Sequence, residues 1–178
     1  MRPCIMTLLV GLSAGAAHAG GYWPLDRSVD GVTYDRSVCA NHGTIVGPER
    51  WVAGSSGRAD DRALAFDGTT YVDLGNDNSL IQGLIYDNAM TMAFWVKLTA
   101  TEPMEICKTL NNGNGLVIAI FSGWSQHRPS PHSLLFELRD DAGQYWTHHI
   151  TEPGLFDGKW HHLAWVVENS ANRCVRVY

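Results

Sequence analysis

The sequence predicts an all-β chain, a two-sheet antiparallel β-sandwich. Three observations predict it. Short segments alternate apolar and polar residues with period two. Gly and Asp turn signals separate those segments at intervals suited to a sandwich. No segment sustains the 3.6-residue apolar period of a helix. The size fits one domain, because 178 residues fall within the range of about 100–200 that a domain takes. At 45% hydrophobic and 17% charged, the chain can build a core, and wholesale disorder is excluded. A net charge of −5 argues against a general nucleic-acid binder, which needs a basic face. No apolar run reaches the roughly 20 residues that span a bilayer, so no transmembrane segment is expected.

The chain opens on an address. Arg2 makes a positive end, residues 5–12 are largely apolar, and small residues lead to Ala17-His18-Ala19. That is the layout of a secretory signal peptide cut after Ala19, so residues 1–19 are expected to leave. The domain then occupies residues 20–178. Cys4 precedes the apolar run, where no lipobox cysteine sits. Export makes a disulfide possible among the three remaining cysteines, Cys39, Cys107 and Cys174. Three is odd, and their spacing fits no zinc module.

The strands follow in order. Residues 63–66 and 70–74 flank Asp67-Gly68-Thr69, which reads as a hairpin. In residues 90–98, Met90, Met92, Phe94, Val96 and Leu98 take one face, and Thr91, Ala93, Trp95 and Lys97 the other. Residues 116–121 are continuously apolar, as in a strand covered on both sides. Residues 133–139 form the next strand. Arg128-Pro129-Ser130-Pro131 before it reads as an exposed loop. Residues 145–150 follow the turn Asp140–Gly143. Residues 160–167 enter through Asp157-Gly158, and residues 173–178 alternate again. Residues 79–86 offer one or two helical turns. The last strand ends on a bare sheet edge, so the sandwich is expected to be incomplete at its C-terminus, with final strands and further domains downstream.

Six segments, in order, resemble the concanavalin A-like, laminin G-like jelly roll of secreted proteins. Gly21-Tyr22-Trp23-Pro24-Leu25-Asp26 is similar to that family's first strand. Residues 33–37 with Asn41-His42-Gly43-Thr44 resemble its D-x-S-G-N-x-G-T loop, although Arg36 stands where a small residue is usual. Ala63-Leu64-Ala65-Phe66-Asp67-Gly68 and Tyr71-Val72-Asp73-Leu74-Gly75 resemble its F-D-G and Y-V-x-L-G pair. Met92–Lys97, Asp157–Ala164 and Val175–Tyr178 resemble three later strands. The resemblance implies a jelly roll and a secreted module, extracellular or periplasmic. It also implies a structural calcium near the F-D-G turn, held by Asp67 and the Gly68 carbonyl with Asp26 as a weaker addition. The family's closing acidic pair is absent.

Four kinds of chemistry suggest themselves. Calcium wants six to eight oxygen donors, and Asp26, Asp35, Asp67, Asp73 and Asp77 supply carboxylates in loops. The alternative is that they hydrogen-bond turn backbone. The doublets His148-His149 and His161-His162 point to opposite faces, so neither chelates one ion alone. Catalysis by paired carboxylates finds no strand of the required pattern. In Glu137-Leu138-Arg139-Asp140, alternation places Glu137 with Arg139 and away from Asp140. Aromatic side chains suit sugar rings: Trp124, in the polar segment 122–127, with Tyr145 and Trp146, are the candidate ligand-binding residues. Trp23, Trp95, Trp160 and Trp165 lie in strand patterns and are expected in the core. The function expected is non-catalytic recognition of a carbohydrate or another extracellular surface. The alternatives are a glycan-cleaving enzyme or its appended domain, and a structural adhesion or spacer domain.

Overall fold

A computed structural model of the chain describes residues 4–11, 20–75, 89–99, 104–108, 117–125, 128–139, 145–168 and 174–177. Its elements are strands, apart from one 3-10 turn at Pro153–Phe156. Pairing among the strands is antiparallel throughout. The all-β expectation therefore stands. The segments at residues 79–86 and 140–143 lie outside the described residues.

The chain divides into two units. The first comprises Met1–Lys97 and Trp160–Tyr178. Its larger sheet has seven strands. These are β1 (Cys4–Gly11), β2 (Gly21–Trp23), β5 (Trp51–Ala53), β6 (Arg62–Phe66), β8 (Ala89–Lys97), β13 (Trp160–Glu168) and β14 (Cys174–Val177). They run in the order β14-β13-β8-β1-β6-β5, with β2 also on β1. Its smaller sheet runs β3 (Val32–Thr33), β4 (Gly43–Val46), β7 (Tyr71–Asp73). The second unit, Leu98–Lys159, holds a sheet of β12 (Tyr145–Thr151), β11 (Arg128–Arg139), β10 (Val117–Ser125) and β9 (Met104–Lys108).

Period two sets the core of the first unit. β8 and β13 pair over nine positions, from Trp160↔Lys97 to Glu168↔Ala89. Opposite residues share a face. One face carries Met92, Phe94 and Val96 with Leu163 and Trp165, each at most 4% exposed. Leu64 of β6 is equally buried. In the second unit Ser133, Leu134, Leu135 and Phe136 are buried in succession, as in a strand covered on both faces. The His132 ring meets Phe156 edge-on at 5.5 Å, and the Glu152 amide donates to the His132 carbonyl.

Two sequence expectations need correction. The segment 63–74 is no hairpin: β6 belongs to the seven-stranded sheet and β7 pairs with β4 in the three-stranded one. The turn moves the chain from one sheet to the other. Gly47, at φ +97°, lets β4 end against it, since a Cβ there would lie 2.6 Å from the Thr69 carbonyl oxygen. Thr70 Oγ1 donates to the Pro48 carbonyl at 2.8 Å beside it. Second, residues 128–131 are the start of β11, with Arg128 opposite Ser125 and Pro129 opposite Trp124. A register shift between Ser122 and Trp124 sits beside the prolines, and an irregular ladder tolerates residues that lack an N–H. Residues 4–11, inside the segment expected to be removed, form β1 of the larger sheet.

One carboxylate organises the chain between β2 and β4. Asp35 is 5% exposed. It accepts from the amides of Tyr22 (2.8 Å), Ser37 (2.8 Å) and Asn41 (3.0 Å) and from Ser37 Oγ (2.8 Å). The Asn41 carbonyl in turn accepts from Trp23 Nε1 at 2.8 Å, and Trp23 is fully buried. The indole lies over Gly21, where any Cβ would run into the ring. Burial opposes ionisation of Asp35, but the four hydrogen bonds outweigh it and hold the pKa below the ordinary carboxylate value. Its stabilisation is therefore present above the unfolded-state pKa and is lost as pH falls through the lower folded value. Asp35→Ala would orphan three backbone amides, each costing roughly 1–3 kcal/mol. Urea unfolding at neutral pH should show a loss of about 3 kcal/mol or more, shrinking as the pH is taken below about 4. A loss under about 0.5 kcal/mol, typical of surface substitutions, would contradict this role.

Candidate functional site

The calcium candidates come first. Asp67 Oδ1 accepts from the Thr69 amide (2.9 Å), Thr69 Oγ1 (2.7 Å) and the Thr70 amide (3.1 Å). Gly68 follows at φ +90°. These hydrogen bonds, led by the Thr69 hydroxyl, pull the Asp67 pKa down to about 2. Asp26 pairs with Arg36 at 2.9 Å and with Arg27 at 3.6 Å. Asp73 Oδ1 accepts from the Gly75 amide at 2.8 Å. Each carboxylate is thus engaged by its own donors. Among the described residues no three His, Cys, Asp or Glu side chains gather as a metal site. Of the calcium candidates that the resemblance implied, Asp67 caps its turn and Asp26 pairs with guanidinium groups. Cys39 is exposed and unpaired.

Asp26, Arg27, Val29, Tyr34 and Arg36 line a shallow depression of about 320 Å³. The Asp26–Arg36 pair occupies its polar side, and an exposed pair of this kind contributes little.

The candidate sugar-binding residues lie in the second unit. Trp124 is on β10 and its backbone faces Pro129, so it belongs to a strand and not to a loop. Tyr145 and Trp146 are on β12, opposite Arg139 and Leu138 of β11. The side chains of all three fall outside the described residues. Their backbones share the four-stranded sheet, on strands flanking β11.

The first unit presents an aromatic surface that the sequence reading placed in the core. Trp23 and Trp165 are buried as expected. Trp95 is not: it is 40% exposed. The cause is the register that buries Phe94 and Val96. Trp95 lies between them, so it must take the other face. Its cross-strand neighbour is His162, with ring centroids 5.1 Å apart and planes at 56°. Lys97 and Trp160 are the next pair on that face, both half-exposed. Trp160 packs against Ala63 and Ala65, with Val52 beside it. Ala93 and Ala164 make the pair on the other side of Trp95–His162. The result is a shallow angled aromatic surface, bounded by small residues at one end and by an amine at the other. The signal for it was legible: Trp95 shares its parity with Thr91 and Lys97, which mark a face toward water.

A bound cation and a turn cap respond differently to a chelator. EDTA is expected to leave the thermal midpoint unchanged, whereas Asp67→Ala lowers it at neutral pH. The Asp67 pKa of about 2 means that its contribution is present above the unfolded-state pKa and fades as the pH falls toward that value. A drop with EDTA matching that of the variant would put an ion at this turn.

The comparisons agree with the architecture. The sequence pattern of the concanavalin A-like lectin/glucanases superfamily matches residues 66–178. No curated protein and no solved structure matches the chain at a significant level. The matched span starts at the end of β6 and runs through β14, covering more than half of the chain. The protein belongs to the concanavalin A-like lectin/glucanases superfamily, in its laminin G-like branch.

Proposed function

We propose that the protein is a secreted, non-catalytic recognition module that binds a carbohydrate on the outer face of the seven-stranded sheet. The family suggests a module that binds carbohydrate or protein ligands. The exposed Trp95–His162 pair is the observation that favours a sugar. The C–H face of a pyranose suits an indole plane, and flat aromatic surface is inexpensive to desolvate. The His162 imidazole and the Lys97 amine stand at hand for hydroxyl groups. Secretion is supported by the leader pattern of residues 1–19. No described helix is long and apolar enough to cross a membrane.

The candidate aromatics then divide between the two units. Trp95→Ala is expected to weaken glycan binding by at least about tenfold, equivalent to about 1.4 kcal/mol. Trp124→Ala on the second unit is expected to change it less. Glycan-array screening followed by titration calorimetry of the best ligand checks both. Unchanged affinity in Trp95→Ala with loss in Trp124→Ala would move the site to the second unit. A flat array would favour a spacer or protein-binding domain.

A further inference from the structure

Asp35 also decides what its neighbours can do. Thr33 and Asp35 are 1% and 5% exposed, so Tyr34 and Arg36 turn outward together. The hydrogen bonds to Asp35 hold this stretch of backbone in place. His42 Nδ1 accepts from the Asp35 amide at 3.2 Å. That bond orients the imidazole, whose ring meets the Tyr34 ring edge-on at 4.8 Å. Tyr34 is therefore a fixed aromatic plane although it is 42% exposed.

The shallow depression beside Tyr34 owes the rest of its lining to residues 26–29. The Val29 and Val32 backbones exchange two hydrogen bonds, at 3.0 and 2.9 Å. Between them Asp30 and Gly31 have φ of +51° and +77°, the signs of a type I′ turn. This turn holds Val29 exposed at the recess. Asp26 engages each arginine through one nitrogen. Arg36 Nη2 donates to both carboxylate oxygens, at 2.9 and 3.2 Å, and Arg27 Nε lies 3.6 Å from one of them. A guanidinium group has five N–H donors, so among the described residues most donors of both arginines stay open to a ligand. Within the lining, two guanidinium groups share one carboxylate, which leaves one positive charge in excess. So exposed a pair adds little stability. What it does is aim donors.

We infer that this recess is a binding site for a single carboxylate carried on a sugar ring, a uronic acid residue. Arg36 and Arg27 take the carboxylate, whose two oxygens match paired N–H donors. Tyr34 and Val29 take the apolar C–H face of the ring. A volume of about 320 Å³ suits one ring and falls at the small end of ligand pockets. A net charge of −5 disfavours a densely charged polyanion, whereas one carboxylate needs only the local excess. Asp26 is a positioning residue, which steers the guanidinium groups. The recess adjoins β3 and uses neither Trp95 nor His162, so loss of sugar binding on β8 would leave it untouched.

The test is an NMR titration of the isotope-labelled protein with methyl β-D-glucuronide, read at the amides of residues 26–36 and the arginine Nε–H signals. Saturable shifts are expected there. Methyl β-D-glucoside, which lacks the carboxylate, should bind at least about tenfold more weakly. Arg36→Lys keeps the charge but loses the planar fork, and should weaken the glucuronide about tenfold. Tyr34→Ala should weaken the glucuronide and leave acetate unchanged. Both side chains are exposed, so both variants should keep the parent thermal midpoint. Trp95→Ala should leave these shifts intact. Acetate binding as tightly as the glucuronide would mean an anion contact without a sugar site. N-acetylglutamate binding more tightly would assign the recess to acidic side chains of a protein. Undiminished affinity in Arg36→Lys would remove the clamp. Each of these three results, or no saturable shift with the glucuronide, overturns the proposal.

Discussion

The pairing of β8 with β13 is the constraint on which the rest depends. Side chains on a strand alternate, and antiparallel partners share a face. Once Phe94 sits opposite Leu163, Trp95 must sit opposite His162. The same register places Met92 with Trp165 and Lys97 with Trp160. Burial selects this parity strongly. A slip of β8 by one residue would carry Met92, Phe94 and Val96 to the other face and bring Trp95 and Lys97 inward. Fully burying each such apolar side chain is worth about 1.5–3 kcal/mol, so the slipped sheet is not a competitor. The exposed aromatic pair is thus a by-product of the core that the structure keeps in place at no conformational expense.

Around this sheet the loops are held by carboxylates acting as acceptors. Asp35 gathers the amides of Tyr22, Ser37 and Asn41 and, through the Asn41 carbonyl, the Trp23 indole. Asp67 serves the turn that carries the chain out of the seven-stranded sheet. Asp157 does the same for the Lys159 amide, at 2.8 Å, just before β13. In each case a short acidic side chain satisfies amides that a sheet ladder cannot reach. That use of aspartate gives these loop carboxylates a structural role. It also gives the family's motifs a mechanical meaning. Gly21 leaves room for the ring of Trp23, and Asp35 fixes the strand that presents it.

Much of this was legible in the sequence. The strands at 90–98, 133–139, 145–150 and 160–167 follow from alternation and turn residues, and the structure sets β8, β11, β12 and β13 there. The hairpin at 63–74 failed because sequence shows that a chain turns but not which sheet it joins next. That choice is made by β4, which captures β7 through Ile45↔Val72. The loop at 128–131 failed because two prolines usually end a ladder, and an irregular register absorbed them. Trp95 was assigned to the core on its size, although its own parity with Lys97 pointed outward. Which carboxylates would share a ligand was not legible, since that depends on loop geometry that residue type does not fix.

Hydroxyl-radical footprinting of the native protein tests this parity most directly. The account requires Trp95 and His162 to be oxidised readily, while Trp23 and Trp165 stay protected until the protein unfolds. Protection of Trp95 equal to that of Trp165 would contradict it, because the β8–β13 register would then not be the one that separates the core from the outer face.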